Sequence, residues 1–378
     1  MKNNRTFLEK LLDGAEVEWK PLGKVTDIKT GQSVSKNIIA QDPGIYPVIN
    51  SGREPLGFIN VWNTENDPIG ITTRGAGVGS ITWQEGKYFR GNLNYSVTIK
   101  SEYELNVRFL YHILLHFQKE IHNLCSFTGI PALNASELKK LEIPIPPLSV
   151  QTKIVKILDA LTALTSELTS ELTLRRKQYE YYREKLLSHD SSEYSTQKSD
   201  KVKFFHTSNI QWLHLNEIYK FQYGIGNKIP TIGGEYPVYG SNGIVGTHNE
   251  YNSENAPVIG HIGAYAGIVN WAEGKHFVTY NGIICNKIND NVNSRYAYYL
   301  LLSQNFIDKA NKASQPFISY DILNKCIVPV PPLEEQQRIV SILDKFEALT
   351  NSITEGLPLA IEQSQKRYEY YRELLLSF

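Results

Sequence analysis

Apolar and polar positions follow two periods along this chain, and both regimes occur twice. Heptad spacing governs Ile154, Leu158, Leu161, Leu168, Leu172, Tyr179, Tyr182 and Leu186, with Thr165 and Arg175 in the two weaker places. A 4-3 alternation puts these residues on one face of a helix, as in a coiled-coil seam. The stripe returns at Ile339, Leu343, Phe346, Thr350 and Ile353, then at Tyr368, Tyr371 and Leu375. About 39 residues at 1.5 Å rise predict a rod of roughly 58 Å, long for a compact domain. The natural partner of each stripe is the other, which predicts an antiparallel pair about a pseudo-twofold.

Each stripe opens on Pro-Pro-Leu, in IPIPPL from Ile143 and VPVPPL from Val328, and closes on Tyr-Glu-Tyr-Tyr-Arg-Glu at Tyr179 and Tyr368. Such an internal repeat decides the fold before any local assignment. The second copy is longer by four residues between landmarks, Asp159 to Tyr179 against Asp344 to Tyr368. That is a stutter, and Gly356 and Pro358 within it predict a kink or short break. The first copy carries Thr165-Ser166-Glu167-Leu168 followed by Thr169-Ser170-Glu171-Leu172; one such unit adds about one turn, roughly 6 Å.

Between the stripes the period changes to two. Short apolar runs at Val25–Ile28, Ile69–Thr72, Ser80–Trp83 and Val97–Ile99 alternate with turn signals such as Asp42-Pro43-Gly44 and Gly233-Gly234. They predict many short strands. Helices are expected at about 105–122 and 294–309, with shorter ones near 134–141 and 319–325. Weaker matches link the two regions, including Tyr46-Pro47-Val48 with Tyr236-Pro237-Val238 and Trp83-Gln84-Glu85-Gly86-Lys87 with Trp271-Ala272-Glu273-Gly274-Lys275. The expected fold class is α+β: two similar α/β units separated by a pair of long antiparallel coiled-coil helices, in a pseudo-twofold, circular-repeat organisation. The expected boundaries are 1–16, a helix end packing with the C-terminal helix; 17–148, the first unit; 149–188, the central helix; 189–209, a Ser/Asp/Lys/Gln-rich linker; 210–333, the second unit; and 334–378, the C-terminal helix.

Charge narrows the function. The chain has 39 basic and 39 acidic residues, which argues against a protein that grips DNA alone by electrostatics. Cys125, Cys285 and Cys326 show no ligand spacing and read as buried thiols in a reducing compartment. No signal-like segment opens the chain, and apolar runs such as Val107–Phe117 are too short to span a bilayer. The cytoplasm is the expected location.

No catalytic or metal constellation emerges. Gly75-Ala76-Gly77-Val78-Gly79 lacks the Lys-Ser/Thr of a phosphate-binding loop and runs into strand-like Ser80-Ile81-Thr82-Trp83, so a turn is expected. The counterpart is Gly260–Gly267. Base-reading chemistry is more plentiful. Arg74 heads the Gly-rich turn, with Arg53, Arg90, Asn92 and Asn94 in adjacent expected turns; the second region offers Asn242, His261, Tyr265, Lys275 and Asn281. Arg suits guanine O6/N7 and Asn suits adenine N6/N7. Lys87 and Lys275 recur in both units and are assigned to phosphate. Tyr181 and Tyr370 fall off the stripe and, with Arg183 and Arg372, are the candidates to face a partner.

With the duplicated PxPPLxxQxxIVxxLD at Pro144–Asp159 and Pro329–Asp344, the duplicated Tyr-Glu-Tyr-Tyr-Arg-Glu, and TRGAGVGSI at Thr73–Ile81, the chain resembles the specificity subunit of type I restriction–modification enzymes over nearly its whole length. The resemblance implies two target-recognition domains, each reading half of a split, asymmetric DNA site. It implies helices that set the gap and dock two modification subunits, with restriction subunits in the full complex. S-adenosylmethionine, ATP and Mg, and the adenine methylation and cleavage, would belong to those partners; this subunit would be non-catalytic and hold no cofactor. Two rival readings are a two-headed adaptor for protein or glycan ligands and an enzyme using the Gly-rich loop for a nucleotide.

Overall fold

The computed structural model describes residues 7–52, 54–188, 210–226, 233–311, 314–352 and 354–378. Arg53, Ile353 and the 189–209 linker lie outside the described residues. Two compact units divide the chain, Met1–Thr169 with Ala360–Phe378, and Ser170–Leu359, so the division falls inside the long helices. Among the described residues no helix is long and apolar enough to cross a membrane.

The two units repeat one plan. In the first, Glu18–Pro21 pairs antiparallel with Glu142–Ile145, setting Trp19 against Pro144; in the second, Gln211–His214 pairs with Ile327–Val330, setting Trp212 against Pro329. The Pro-rich landmark is therefore an edge ribbon, where a missing N–H is tolerated. A one-turn helix follows, Leu22–Val25 or Leu215–Ile218, with both ends of each buried. The first unit then builds a four-stranded sheet in the order Thr26–Thr30, Asn94–Ile99, Ile69–Thr72, Ile81–Trp83. A separate four-stranded sheet is ordered Phe58–Ile59, Pro43–Ile49, Lys87–Arg90, Thr64–Glu65. In the second unit the two sheets fuse into six strands. The ten-residue strand Val269–Val278 runs unbroken where the first unit has the two strands Ile81–Trp83 and Lys87–Arg90.

The helices expected at about 105–122 and 294–309 each break in two, Val107–His116 then Gln118–Asn123, and Ser294–Ser303 then Phe306–Lys309. The longer helix of each pair begins on Asn106 or Asn293, whose side chain accepts the first free N–H groups. This capping satisfies donors that the helix itself leaves unpaired. Leu110, Ile113 and Leu114 join Ile69, Ile71 and Val97 in one core; Tyr296, Leu300 and Leu301 join Ile259, Ile283 and Leu323 in the other.

The central helix is continuous over Leu148–Ser188, 41 residues, or about 60 Å. Within the first unit its N-terminal half packs against the C-terminal segment: Thr165 and Ser364 hydroxyls lie 2.8 Å apart, and the Tyr368 hydroxyl is 3.3 Å from His112 Nδ1. His112 also sits 2.8 Å from Asp159, and burial outweighs that carboxylate in lowering its pKa. Within the second unit Arg176 donates to the Thr350 carbonyl at 3.4 Å, and Tyr182 stacks on Phe346. Both pairings run antiparallel. Leu375, Leu376 and Phe378 share the first unit's core with Leu11 and Leu12. The second rod is two helices, Leu333–Asn351 and Gly356–Leu376, as Gly356 and Pro358 led one to expect. Gly356 has φ +73°, and a Cβ there would lie 2.5 Å from the Ala348 carbonyl oxygen, so only glycine fits the joint.

The Gln that recurs in both copies of PPLxxQ, Gln151 and Gln336, has a structural role. Gln151 accepts from Asn106 N–H at 2.8 Å and donates to the Glu104 and Pro146 carbonyls; Gln336 accepts from Asn293 N–H at 2.7 Å and donates to the Asn291 and Pro331 carbonyls. Both are fully buried. Each ties the start of a long helix to the cap of a domain helix. Gln336→Ala leaves buried backbone groups unpaired, with an expected loss of about 2–4 kcal/mol. Urea unfolding would show a shifted midpoint at unchanged slope; a shift worth under ~0.5 kcal/mol would mean that solvent replaces these bonds.

Three further repeated residues meet in each unit. Arg108 lies 4.4 Å from the Trp83 ring and 2.8 Å from Asp159; Arg295 lies 5.1 Å from the Trp271 ring and 2.8 Å from Asp344. Stacking on an aromatic face while the fork grips a carboxylate suits arginine and not lysine. This Trp–Arg–Asp chain links sheet, domain helix and long helix.

Candidate nucleic-acid interface

In both units the Gly-rich turn is a tight link between two strands. Gly79 N–H donates to the Thr72 carbonyl at 2.8 Å, and Gly267 N–H to Gly260 at 2.8 Å; Gly75 N–H reaches Pro131 at 3.0 Å, and Gly263 N–H reaches Pro316 at 2.8 Å. Gly75 and Gly263 have φ of +92° and +93°, a conformation that favours glycine. No helix follows either turn, so neither makes the N-terminal anion site of a nucleotide fold. A second loop bridges each turn, through Arg74 with Ala132 and Ile262 with Phe317. Turn and bridging loop form one cradle per unit.

In the first cradle Arg74 is exposed at the head of the turn, and Asn92 is exposed on a neighbouring turn. Phe127 and Ile130, 54% and 68% exposed, project from the bridging loop. In the sequence this apolar pair is marked only by Gly129 between its members, which takes φ +85° in the fold. In the second unit Asn242 and Tyr265 are exposed, Asn281 is half-buried, and its carbonyl accepts His261 N–H at 2.8 Å. Lys87 is spoken for by the Trp62 ring at 4.5 Å and Glu65 at 4.0 Å. Lys275 lies 4.6 Å from the Tyr251 ring, whose hydroxyl raises the ammonium pKa. Arg53 lies outside the described residues.

Three expected base readers do not reach the surface. Arg90 is 3% exposed and Asn94 is fully buried. Arg90 Nη1 donates to Asn94 Oδ1 at 2.7 Å, Tyr95 O at 3.0 Å and Ile69 O at 3.1 Å; Nη2 donates to Asp67 O at 2.7 Å and to the Tyr88 hydroxyl. These contacts saturate the guanidinium ends inside the fold, so Arg90 and Asn94 form a strut between strands. His261 is 6% exposed, with Nδ1 2.8 Å from the Ile318 carbonyl. Its ring lies 4.4 Å from that of Tyr223, so it supports other side chains.

The off-stripe tyrosines are outward. Tyr181 and Tyr370 are 56% and 63% exposed at equivalent places on the two helices. Behind them Arg183 lies 5.4 Å from the Tyr179 ring and Arg372 lies 5.5 Å from the Tyr368 ring.

Two paired long-helix segments carrying two versions of one α/β unit, with unlike side chains on a shared loop frame, define a duplicated recognition protein. The family model described as type I restriction modification DNA specificity domain matches residues 15–175 and 216–363. The chain belongs to that family. It is 40% identical to a putative type I restriction enzyme specificity subunit of Haemophilus influenzae, covering all of both chains. It is 31% identical to a type I restriction enzyme specificity subunit of Escherichia coli, covering 99% of this chain and 97% of the relative. The fold is shared with the crystal structure of an S subunit of a type I restriction–modification system from M. genitalium, with a TM-score of 0.66 at 22% identity, covering 97% of each chain. A chain from a study of complex assembly in a type I system aligns with a TM-score of 0.54 at 14% identity, covering 96% of this chain and 98% of that one. The adaptor reading is not favoured by these relatives.

Proposed function

We propose that this chain is the non-catalytic subunit that gives a type I restriction–modification complex its DNA sequence specificity. Each unit reads one half of a split, asymmetric site in double-stranded DNA. The observation that carries this reading is the duplicated cradle: identical backbone bonds hold Arg74 and Asn92 outward in one unit and Tyr265 outward in the other. One frame with two chemistries suits two half-sites of different sequence. The long helices set the number of base pairs left unread. Exposed Tyr181 and Tyr370, each backed by a half-buried arginine, Arg183 or Arg372, mark equivalent places, which suits two copies of one modification subunit; restriction subunits complete the assembly. S-adenosylmethionine, ATP and Mg, adenine-N6 methylation and cleavage fall to those partners.

The balanced charge fits such a division of labour. A subunit enclosed with DNA by its partners need not supply the whole phosphate-neutralising contribution to affinity. Co-expression with a modification subunit, followed by affinity capture and duplex competition, tests the proposal: co-purification and sequence-selective DNA retention are expected, and neither occurs if the chain is an adaptor for other ligands. Arg74→Ala is expected to weaken binding to the first half-site alone by about 1–3 kcal/mol, the range of a bidentate base contact. Equal weakening on every duplex would make Arg74 a phosphate contact.

A further inference from the structure

The cradles share a set of backbone bonds, so residues at equivalent places can be aligned directly. Leu133 N–H donates to Thr73 O at 2.8 Å and Ile318 N–H to His261 O at 2.9 Å; Thr73 N–H donates to Leu93 O and His261 N–H to Asn281 O; Gln32 N–H donates to Arg90 O and Ile225 N–H to Val278 O. These bonds align Thr30 with Tyr223, Thr73 with His261, Asn92 with Tyr280, and Ala135 with Tyr320. At four places around one cradle, small or polar residues in the first unit are rings in the second.

The four rings form one group. Tyr223 stacks on Tyr320 at 4.3 Å and 13°, His261 lies 4.4 Å from Tyr223, and Tyr280 stands 5.4 Å from His261 and 5.9 Å from Tyr223. Backbone contacts hold them: Tyr223 N–H donates to the Tyr320 hydroxyl at 2.8 Å, and His261 Nδ1 is 2.8 Å from the Ile318 carbonyl. Burial, then the Tyr320 and Tyr280 phenols, raise the Tyr223 hydroxyl above its usual pKa, which keeps it a neutral donor. A ring group serving only as core would be covered. Here Tyr280 is 44% exposed beside the neighbouring turn's Ile225 at 59%, while His261 beneath is buried. The result is a supported aromatic shelf open to a ligand.

We infer that this shelf is a base-reading site of the second unit, in which the exposed Tyr280 edge and its supporting rings take the C5-methyl group of a thymine. Apolar contact is how that methyl is distinguished in the major groove, whereas Arg and Asn, the exposed set of the first unit, read hydrogen-bonding edges. Tyr280 touches the base; Tyr223, His261 and Tyr320 are positioning residues. The inference rests on the DNA-reading function proposed above.

The test uses the subunit reconstituted with its modification subunits, and duplexes carrying the site found by mapping methylated adenines. Each thymine of the second half-site is replaced in turn by uracil, which removes only the methyl. At one position the wild-type complex is expected to bind roughly fourfold more weakly, the worth of one buried carbon. Tyr280→Asn, the residue of the first unit, is expected to abolish that thymine–uracil difference and leave uracil substitutions in the first half-site without added effect. Tyr223→Thr, which removes a support, is expected to reduce the difference in part. A uracil effect that persists at full size in Tyr280→Asn overturns the inference, as does a second half-site without a methyl-sensitive position. If the wild-type complex failed to prefer its site over a scrambled duplex, the function proposed above would fall first, so the two failures are distinguishable. Assembly with the modification subunit, unchanged in both variants, separates loss of reading from loss of fold.

Discussion

Arg90→Ala is expected to destabilise the protein by about 3–5 kcal/mol, the cost of removing one partner from a buried charged network. The side chain bridges Asn94, Tyr88 and the carbonyls of Asp67, Ile69 and Tyr95, with the Asp67 carboxylate 3.5 Å away. Alanine takes one donor from each of these acceptors, leaving the Asp67 carbonyl only the Tyr88 hydroxyl at 2.6 Å, and opens a cavity. The second unit shows how the same place is filled without charge. Gly70, Arg90 and Asn94 align with Val258, Val278 and Gly282, and there the valines fill the space: a Cβ on Gly282 would lie 2.7 Å from Val278 Cγ1 and 2.9 Å from Val258 Cγ1. In the first unit a Cβ on Gly70 would lie 2.5 Å from Asn94 Oδ1. Polar and apolar solutions are therefore each complete sets. Combining Gly70→Val, Arg90→Val and Asn94→Gly is expected to recover part of the stability that Arg90→Val alone loses, since packed apolar groups can replace a buried ionic network. Chemical unfolding of the three variants decides it. If Arg90→Ala unfolds like the wild type, the guanidinium is not the strut described.

Deleting Thr169–Leu172 is expected to move the methylated site to a gap one to two base pairs shorter, with methylation at the original spacing lost. The four residues lie inside the unbroken helix Leu148–Ser188. Their removal takes out about 6 Å and leaves a phase change of about 40°. On DNA, 6 Å corresponds to about one to two pairs at 3.4 Å each, a twist of roughly 34–70° at 10–10.5 pairs per turn. Length and rotation thus change in the same sense on both sides. Mapping methylated adenines in cells carrying the deletion reads the outcome. New half-site sequences at an unchanged gap would sink the role given to the helices.

The long helices were legible because a heptad stripe is a local signal. Ile154, Leu158, Tyr179 and Leu186 are buried, while Leu161, Leu168 and Leu172, between the cores, are half-buried. Gly356 and Pro358 announced the joint because both act on the backbone where they stand. The site was less legible. Arg90 and Asn94 sit in a Gly- and Asn-rich stretch that looks like a surface turn; their burial is decided by Asp67, Ile69 and Tyr88, which only sheet pairing brings near. Gln151 and Gln336 were visible as repeated letters, but their partners are backbone groups, which carry no side-chain signature. Tyr223, Tyr280 and Tyr320 come from three separate segments, and a shelf made of one residue from each has no sequence spacing.

The two rods differ in how they tolerate insertions. Ser352, Thr354 and Glu355 lie outside the helices, with Ser352 Oγ accepting from Thr354 N–H at 3.3 Å and Glu355 N–H at 3.2 Å. A residue added to an unbroken helix turns everything beyond it by about 100°. A residue added to a loop costs little, because closure entropy grows only with the logarithm of its length. A change in the number of Thr-Ser-Glu-Leu units in the first rod therefore needs no matching insertion in the second, whose interrupted segment serves as an expansion joint.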